Sequence, residues 1–296
     1  MSALGGLGAL DAISPCRRRT DRIARAAVLA LTVVAVVPLV LVVYYLVEKG
    51  LGALSVEFFT TDPTGNFLGN PGGIRSALLG TLEMVALASL MAIPVGIGVA
   101  VWLVEYGKAS RLASVVRFFV DVLTGVPSIV FGLFIYITLV LSGALNGSFA
   151  AWKGSAALAL LMLPVVTRAA EVVLTLVPDG LRESALALGA PRWRVVTRVV
   201  LPTALPGLIT GSLLAVARAM GETAPLLFTA QATLVTSFDL NQRMNSLPIQ
   251  IFNDVQSPRA EIVQRAWGSA LTLVALILLI TLAARFLAAR RSTPVP

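Results

Sequence analysis

The sequence predicts an all-α membrane protein of six transmembrane helices, with both termini in the cytoplasm. Three observations predict it. Of 296 residues, 57% are hydrophobic and only 13% charged, where a soluble domain carries about 25% charged residues. The apolar residues gather into six stretches of the length, about 20 residues, that crosses the hydrocarbon core of a bilayer. Lys and Arg lie between these stretches, sixteen on one side and six on the other, which is the asymmetry of a positive cytoplasmic face.

The mean hydropathy of +0.89 excludes a soluble globular enzyme and a disordered or fibrous chain. The net charge of +8 reflects orientation in the membrane, not nucleic-acid binding. With no His in the chain, His-based zinc sites, His general bases and Ser-His-Asp triads are excluded, and no metal cluster or nucleophile–base set is apparent. The single Cys16 carries no information about redox compartment.

Residues 1–25 form a cytoplasmic tail. Its first part, 1–16, lacks any pattern and is expected to be mobile; Arg17, Arg18, Arg19, Arg22 and Arg25 follow. The transmembrane domain takes residues 26–296. Its first helix, at about 26–47, is uncharged and too long for the apolar core of a cleaved signal peptide, so an uncleaved anchor is expected. The second is placed at about 75–104 and the third at about 118–141, where Gly125 and Pro127 serve packing and kinking. The fourth, about 155–177, carries Arg168 and Glu171 near its end, where snorkelling to the interface accounts for them. The fifth, about 205–229, contains Arg218 and Glu222, and the sixth spans about 264–286. Glu83 and Asp121 fall near helix ends. Two outer loops are long enough to hold structure. In Gly50–Gly73, Phe58 and Phe59 are expected against lipid headgroups; Ser237–Pro258 offers a surface for interfacial packing or for an external protein.

The loop 178–204 has a pattern of its own. Pro178 and Asp179 open a helix, and Gly189 and Pro191 close it. A second, basic amphipathic segment starts at Arg192 and stops at Pro202. Two short helices meeting at a glycine make a knob that can fit a cleft on a partner. Glu183, Ala185, Gly189, Val199, Leu201 and Pro202 fall at the spacing of the EAA signature, with Ser184 in place of its first Ala. The loop thus resembles that of the permeases of ATP-binding-cassette importers. A basic loop obeying the positive-inside rule would explain the arginines but not the spacing from Glu183 to Gly189 to Pro202. The resemblance implies that Glu183, Ser184, Ala185 and Gly189 dock on a separate ATPase. The chain has no P-loop, since its only Gly-Lys pair, Gly107-Lys108, is followed by Ala109 and preceded by Trp102 where a glycine is required.

Arg218 and Glu222 are spaced i, i+4 within a span. Each charge costs about 2.5–3.5 kcal/mol at the bilayer centre on the insertion scale. Mutual neutralisation lowers that cost but does not explain why two charges are present. Gly221 and Pro225 flank the pair, and Pro225 is expected to kink the helix by removing the hydrogen bond to the Gly221 carbonyl. A charge pair beside loosened backbone is how substrate sites are built in other transporters. Arg suits an oxyanion because its donor fork never deprotonates, and Glu222 can reclaim Arg218 when the anion leaves. Thr223 is a further possible ligand.

The run Gly221-Glu222-Thr223-Ala224-Pro225-Leu226-Leu227 resembles the signature of the PstA-type permease family of phosphate importers. Gly125-Val126-Pro127-Ser128-Ile129-Val130-Phe131-Gly132, Pro94-Val95-Gly96-Ile97-Gly98, Glu105-Tyr106, Gly72-Gly73-Ile74 and Ser246-Leu247-Pro248 fit the same family. The likeness runs from about residue 50 to the C-terminus. It implies a type I importer permease fold in the bacterial plasma membrane, with Arg218 and Glu222 lining the phosphate path. It also implies a homologous second permease as heterodimer partner, an ATPase dimer and an extracytoplasmic phosphate-binding protein. The chain itself is expected to bind no cofactor and no nucleic acid, with ATP and Mg used by the ATPase. An ion-coupled secondary anion transporter fits the charge pair equally well but not the loop, and a permease for another oxyanion, such as molybdate or sulfate, fits both.

Overall fold

The computed structural model describes residues 15–65, 69–107, 110–142 and 147–291. Among these residues the secondary structure is helical, apart from one isolated β-bridge between Pro63 and Gly72. Among the described residues, five helices are long and apolar enough to cross a membrane, or six when one bent pair is counted as a span. The expected mobile tail falls outside the described residues as far as residue 14. Residues 15–25 are the first turns of α1, Pro15–Leu51.

The chain divides into two units, residues 1–49 and 50–296. The first holds nearly all of α1, whose apolar side chains, such as Leu29, Leu31 and Val34, are exposed.

The second unit is built around α6, Ala151–Thr175. The helix α3, Arg75–Val101, packs along it in parallel, with Gly96 against Val166 and Met84 against Gly154. The helix α9, Leu201–Met220, packs along it antiparallel, with Gly207 against Val173 and Gly211 against Ala169. The small residues at these seams are the reason the helices approach so closely. Apolar burial drives little helix association in lipid, so close van der Waals packing at small residues takes its place. The resulting core contains Met84, Ala88 and Ala92 of α3, Leu158, Met162 and Val166 of α6, and Ala215 and Ala219 of α9. The last helix, α12, Ala260–Arg291, adds Leu273, Leu276 and Ile277 to its edge.

The third apolar stretch is not one straight helix. It is α4, Arg111–Gly125, then α5, Ser128–Ile135, which continues as a π-helical turn over Tyr136–Leu141. The two segments are bent by 103° at Val126-Pro127. Pro127 is in polyproline-like geometry (φ −58°, ψ 139°), and Val126 before it is extended, as proline demands of its neighbour. The result is a break, where a kink was expected.

The basic segment after Gly189 also departs from expectation. It does not stop at Pro202. The helix α8, Arg192–Val195, passes through a π-helical turn at Val196–Val200 into α9, giving one apolar stretch from Arg192 to Met220. A π turn widens the helix and shifts its hydrogen bonds, so a following proline is accommodated without breaking it.

At the Ala151 end of α6, two loop regions are stitched into a cap. Ser55 caps the short α2, Val56–Thr60, by accepting from Phe58 N at 3.0 Å. Asp62 accepts from Thr236 N at 3.0 Å and from its hydroxyl at 2.5 Å. The helix α11, Leu247–Asp254, is capped by Ser246, and the Leu247 N–H donates to Thr81 of α3 at 2.8 Å. Arg265 pairs with Asp254 at 2.7 Å, both side chains buried. Phe58, expected against headgroups, is 6% exposed and packs with Ile74, Ala77 and Leu247; Phe59 beside it is exposed. An apolar ring in a loop between turn signals can cover a core as readily as a lipid surface.

Candidate functional site

Two groups of predicted residues come together, one within the bundle and one at the Thr175 end of α6, beside the helix α7, Asp179–Ala187. Within the bundle, α9 ends at Met220 with Gly221 as its cap, and α10, Ala224–Thr229, starts after Thr223. Gly221 N donates to Arg218 O at 3.1 Å and Glu222 N to Ala219 O at 3.2 Å, which closes the last turn. Pro225 lies in the first turn of α10, where a missing N–H costs nothing. The expected kink is therefore a full interruption, and Gly221 and Pro225 sit on its two sides. Leu226 packs against Gly154 in the same antiparallel register as Gly207 with Val173, so both halves stay docked on α6. That register sets Arg218 level with Met162, close to the middle of α6.

Arg218 Nε lies 3.6 Å from Glu222 Oε1. This is an ion pair, longer than a hydrogen bond. The Arg218 side chain is 46% exposed and that of Glu222 16%. Thr223 is half-buried beside them. The backbone of Pro225 meets α5 at Gly132, where a Cβ would stand 2.6 Å from Pro225 Cα. The two broken helices thus brace one another, and glycine at 132 is what permits it.

At the α7 end, α7 covers Asp179–Ala187. Ala190 N donates to Ala185 O at 3.2 Å and Gly189 N to Leu186 O at 2.9 Å, the paired bonds of a Schellman cap. Gly189 supplies the positive φ of 79° that this cap needs. Glu183 and Ser184 are exposed, and Ala185 is half-buried. Pro191 then opens α8.

Arg182, one residue before Glu183, sits in this knob in a role the sequence did not disclose. Its side chain is 10% exposed. It donates to Glu105 from Nε at 3.1 Å and Nη2 at 3.0 Å, to Leu174 O at 2.8 Å, to Asp179 at 3.1 Å and to the Val177 carbonyl. Glu105 lies in the π-helical turn Trp102–Tyr106 that ends α3. One guanidinium thus ties α7 to the ends of both α3 and α6. The spacing of Asp179 and Arg182 was the one available signal, but the charge was equally well explained as part of a positive loop. A cavity of about 350 Å³ opens beside it, lined by Glu105, Tyr106, Glu183, Leu186 and Arg192 among others.

Arg168 and Glu171 do not simply snorkel. Glu171 accepts from Arg117 of α4 at 2.6 Å and from Arg168 at 2.8 Å, and Arg168 reaches Asp121 at 3.1 Å. These four residues clamp α4 to α6. They form two pairs about 50 residues apart in the chain, one on α4 and one on α6, which is why no spacing rule revealed the cluster. Glu83 is partly buried, and its Oε2 has no hydrogen-bond partner among the described residues.

Comparison with known proteins places these features. Residues 92–293 match the family described as binding-protein-dependent transport system inner membrane component. The chain is 41% identical over 251 residues to the phosphate transport system permease protein PstA of Pasteurella multocida, covering 85% of this chain and 88% of that one. It is 40% identical to PstA of Yersinia pestis, covering 93% and 92%. With PstA 1 of Mycobacterium tuberculosis it shares 42% identity, covering 88% and 86%. Among solved structures, a bacterial alginate ABC transporter superposes with a TM-score of 0.66 at 14% identity, over 94% of this chain and 98% of that one. The MetNI methionine transporter in an inward-facing form superposes at 0.60 and 21% identity, over 73% and 95%. These two share the fold. Matched across two thirds of its length, and carrying five or six membrane-spanning helices, the chain belongs to the binding-protein-dependent transport system inner membrane components, among the PstA-type permeases, as a multi-pass protein of the bacterial plasma membrane.

Proposed function

We propose that the chain is the permease subunit of an ATP-driven inorganic phosphate importer, with Arg218, Glu222 and Thr223 lining the path. The observation that carries this reading is the loose Arg218–Glu222 pair at a helix break near mid-bundle. The pair is long enough for Arg218 to turn its donors to an oxyanion, and Glu222 remains close enough to recover the arginine afterwards. The identity to proteins named as phosphate transport system permeases supports phosphate as that oxyanion.

The family works with a separate ATPase and a substrate-binding protein. The knob at Glu183, Ser184, Ala185 and Gly189 is the surface offered to an ATPase dimer, which uses ATP and Mg. With Arg218 half-exposed in the single chain, a homologous second permease completes the path. Both termini and the knob lie in the cytoplasm, and the cap around α11 faces the phosphate-binding protein. Closure of the ATPase pair moves α7, and the bundle alternates between outward and inward openings.

The test is reconstitution of the complex in proteoliposomes with a loaded binding protein. Uptake of radiolabelled phosphate that requires internal ATP, and that excess sulfate and molybdate leave unaffected, supports the reading. Uptake sustained by an ion gradient without nucleotide overturns it. Competition by sulfate or molybdate moves the assignment to another oxyanion.

A further inference from the structure

Some 36 Å from the knob, at 1.5 Å per residue along α6, a cavity of about 550 Å³ opens at the Ala151 end of the helix. That volume lies within the range of small-ligand sites. Two cations line it, Lys153 and Arg243, together with the hydroxyl and amide side chains of Thr233, Ser237, Asn241 and Gln242.

Lys153 is 1% exposed. Its ammonium donates to Ser148 O at 2.7 Å and lies 5.6 Å from the centre of the Trp152 ring. An ammonium has three N–H donors, so this carbonyl leaves donor capacity unused. No carboxylate among the described residues forms a salt bridge with Lys153 or Arg243. Arg243 instead lies over the Phe149 ring at 5.5 Å. Asp239, the acid closest in the loop, accepts from Asn241 N at 2.9 Å and from its side-chain amide at 3.3 Å. Glu83 sits at the level of Lys153 in the register of α3 with α6, yet is not paired with it. Burying an ammonium away from any counter-charge is strongly unfavourable, and the fold has built the wall that keeps it there. Ala150 N donates to Thr229 O, Ala151 N to Gln242 O and Trp152 N to Leu240 O, at 2.9–3.1 Å. The loop is thereby fixed to the start of α6.

We propose that this cavity is a receiving site for a phosphate-type oxyanion, held by Lys153 and Arg243 and separate from the Arg218–Glu222 pair. The inference rests on the importer reading for its direction of travel. Thr229, whose carbonyl anchors Ala150, ends α10, and α10 starts directly after Thr223. The cavity therefore lies at one end of a short helix whose other end meets the intramembrane pair. An anion released at the outer face meets the cavity first. The same chemistry fits inorganic phosphate or the phosphate of a lipid headgroup.

The experiment uses the purified complex in maltoside detergent, and reads inorganic phosphate binding by broadening of its ³¹P resonance and bound phospholipid by mass spectrometry. Arg243→Gln and Lys153→Gln are compared with Arg218→Ala, and unchanged melting temperatures confirm intact folds. Phosphate binding that survives Arg218→Ala but weakens at least tenfold with Arg243→Gln supports the site with inorganic phosphate as its ligand. A phospholipid that copurifies with the wild type and is lost with Arg243→Gln supports the same site with a lipid source. Phosphate and lipid binding that both remain as in wild type with Arg243→Gln overturn the proposal, as does melting of Lys153→Gln at the wild-type temperature with undiminished binding. If wild-type proteoliposomes import phosphate while these variants bind as wild type, the receiving site fails and the importer reading stands. If the wild type does not import phosphate, the importer reading itself fails.

Discussion

The guanidinium of Arg182 straddles Oε1 of Glu105, with Nε at 3.1 Å and Nη2 at 3.0 Å, although 77 residues separate the two in the chain. Arg182 belongs to the knob and Glu105 to the end of α3. A displacement of α7 would therefore reach α3 through a bonded contact, as well as passing through Gly189 into the helix that begins at Arg192.

Loss of Arg182 leaves the buried Glu105 without a counter-charge, at a cost of about 3–5 kcal/mol, whereas loss of Glu105 leaves Arg182 paired with Asp179 and costs less. We expect Arg182→Gln and Glu105→Gln to lower the melting temperature of the purified complex. We also expect ATP hydrolysis to lose its dependence on the loaded binding protein. The exchange Arg182→Glu with Glu105→Arg should restore part of that dependence. Exchanged residues that restored melting without any recovery of coupling would confine the pair to a structural role.

The Arg218–Glu222 pair predicts two different kinetic signatures. Hydrogen bonds to a charged group are worth about 1.5–3 kcal/mol, or roughly tenfold per 1.4 kcal/mol. Phosphate uptake by Arg218→Ala should therefore fall about 10- to 100-fold in proteoliposomes. In Glu222→Gln the arginine has nothing to return to, so maximal uptake should fall while half-saturation stays the same or drops. Normal transport by the Arg218→Ala, Glu222→Ala double variant would remove both residues from the path.

Two glycines at the third apolar stretch should behave in opposite ways. A Cβ at Gly132 would stand 2.6 Å from Pro225 Cα, whereas a Cβ at Gly125 meets nothing within 4 Å. Gly132→Ala must push α5 off α10, an overpacking cost of about 1–3 kcal/mol. Gly125→Ala should leave melting unchanged or raise it slightly, since alanine restricts the unfolded chain. Thermal melting of the two variants in detergent separates these outcomes.

Gly189 is different again, because its surroundings are open and only its φ of 79° matters. A Cβ in left-handed geometry costs about 1–2 kcal/mol, and asparagine tolerates that region better than a branched residue. Gly189→Asn should keep binding-protein-stimulated ATP hydrolysis near wild type, and Gly189→Val should depress it several-fold. Equal activity of the two would show that the Schellman cap does not hold the knob in its working shape.

Sequence and structure agree where the determinants are local. Asp179, Gly189 and Pro191 delimit α7 because capping and left-handed geometry depend on neighbouring residues. The intramembrane pair was visible because charge in an apolar run costs energy that must have a reason. Geometry that depends on distant contacts was not visible. Pro127 signals a bend, yet 103° is set by α5 docking on α10 through Gly132. Pro202 signals a stop, yet a π turn carries the helix through it. Arg117, Asp121, Arg168 and Glu171 each look interfacial alone, and only folding joins them.

The position of α6 bears on how the protein enters the bilayer. Of its most apolar stretch 61% is buried, and the helix carries Lys153, Arg168 and Glu171. Released from the translocon by itself, such a segment would bring three charges toward lipid without partners, each costing less than the figure of about 2.5–3.5 kcal/mol at the bilayer centre because they lie toward the helix ends. The ribosome makes α3 first, and α3 offers Met84 and Gly96 to Gly154 and Val166 in parallel register. The order of synthesis thus supplies a chaperone before its client: the most enclosed of the spanning helices is raised only after the helix it leans on already stands in the membrane.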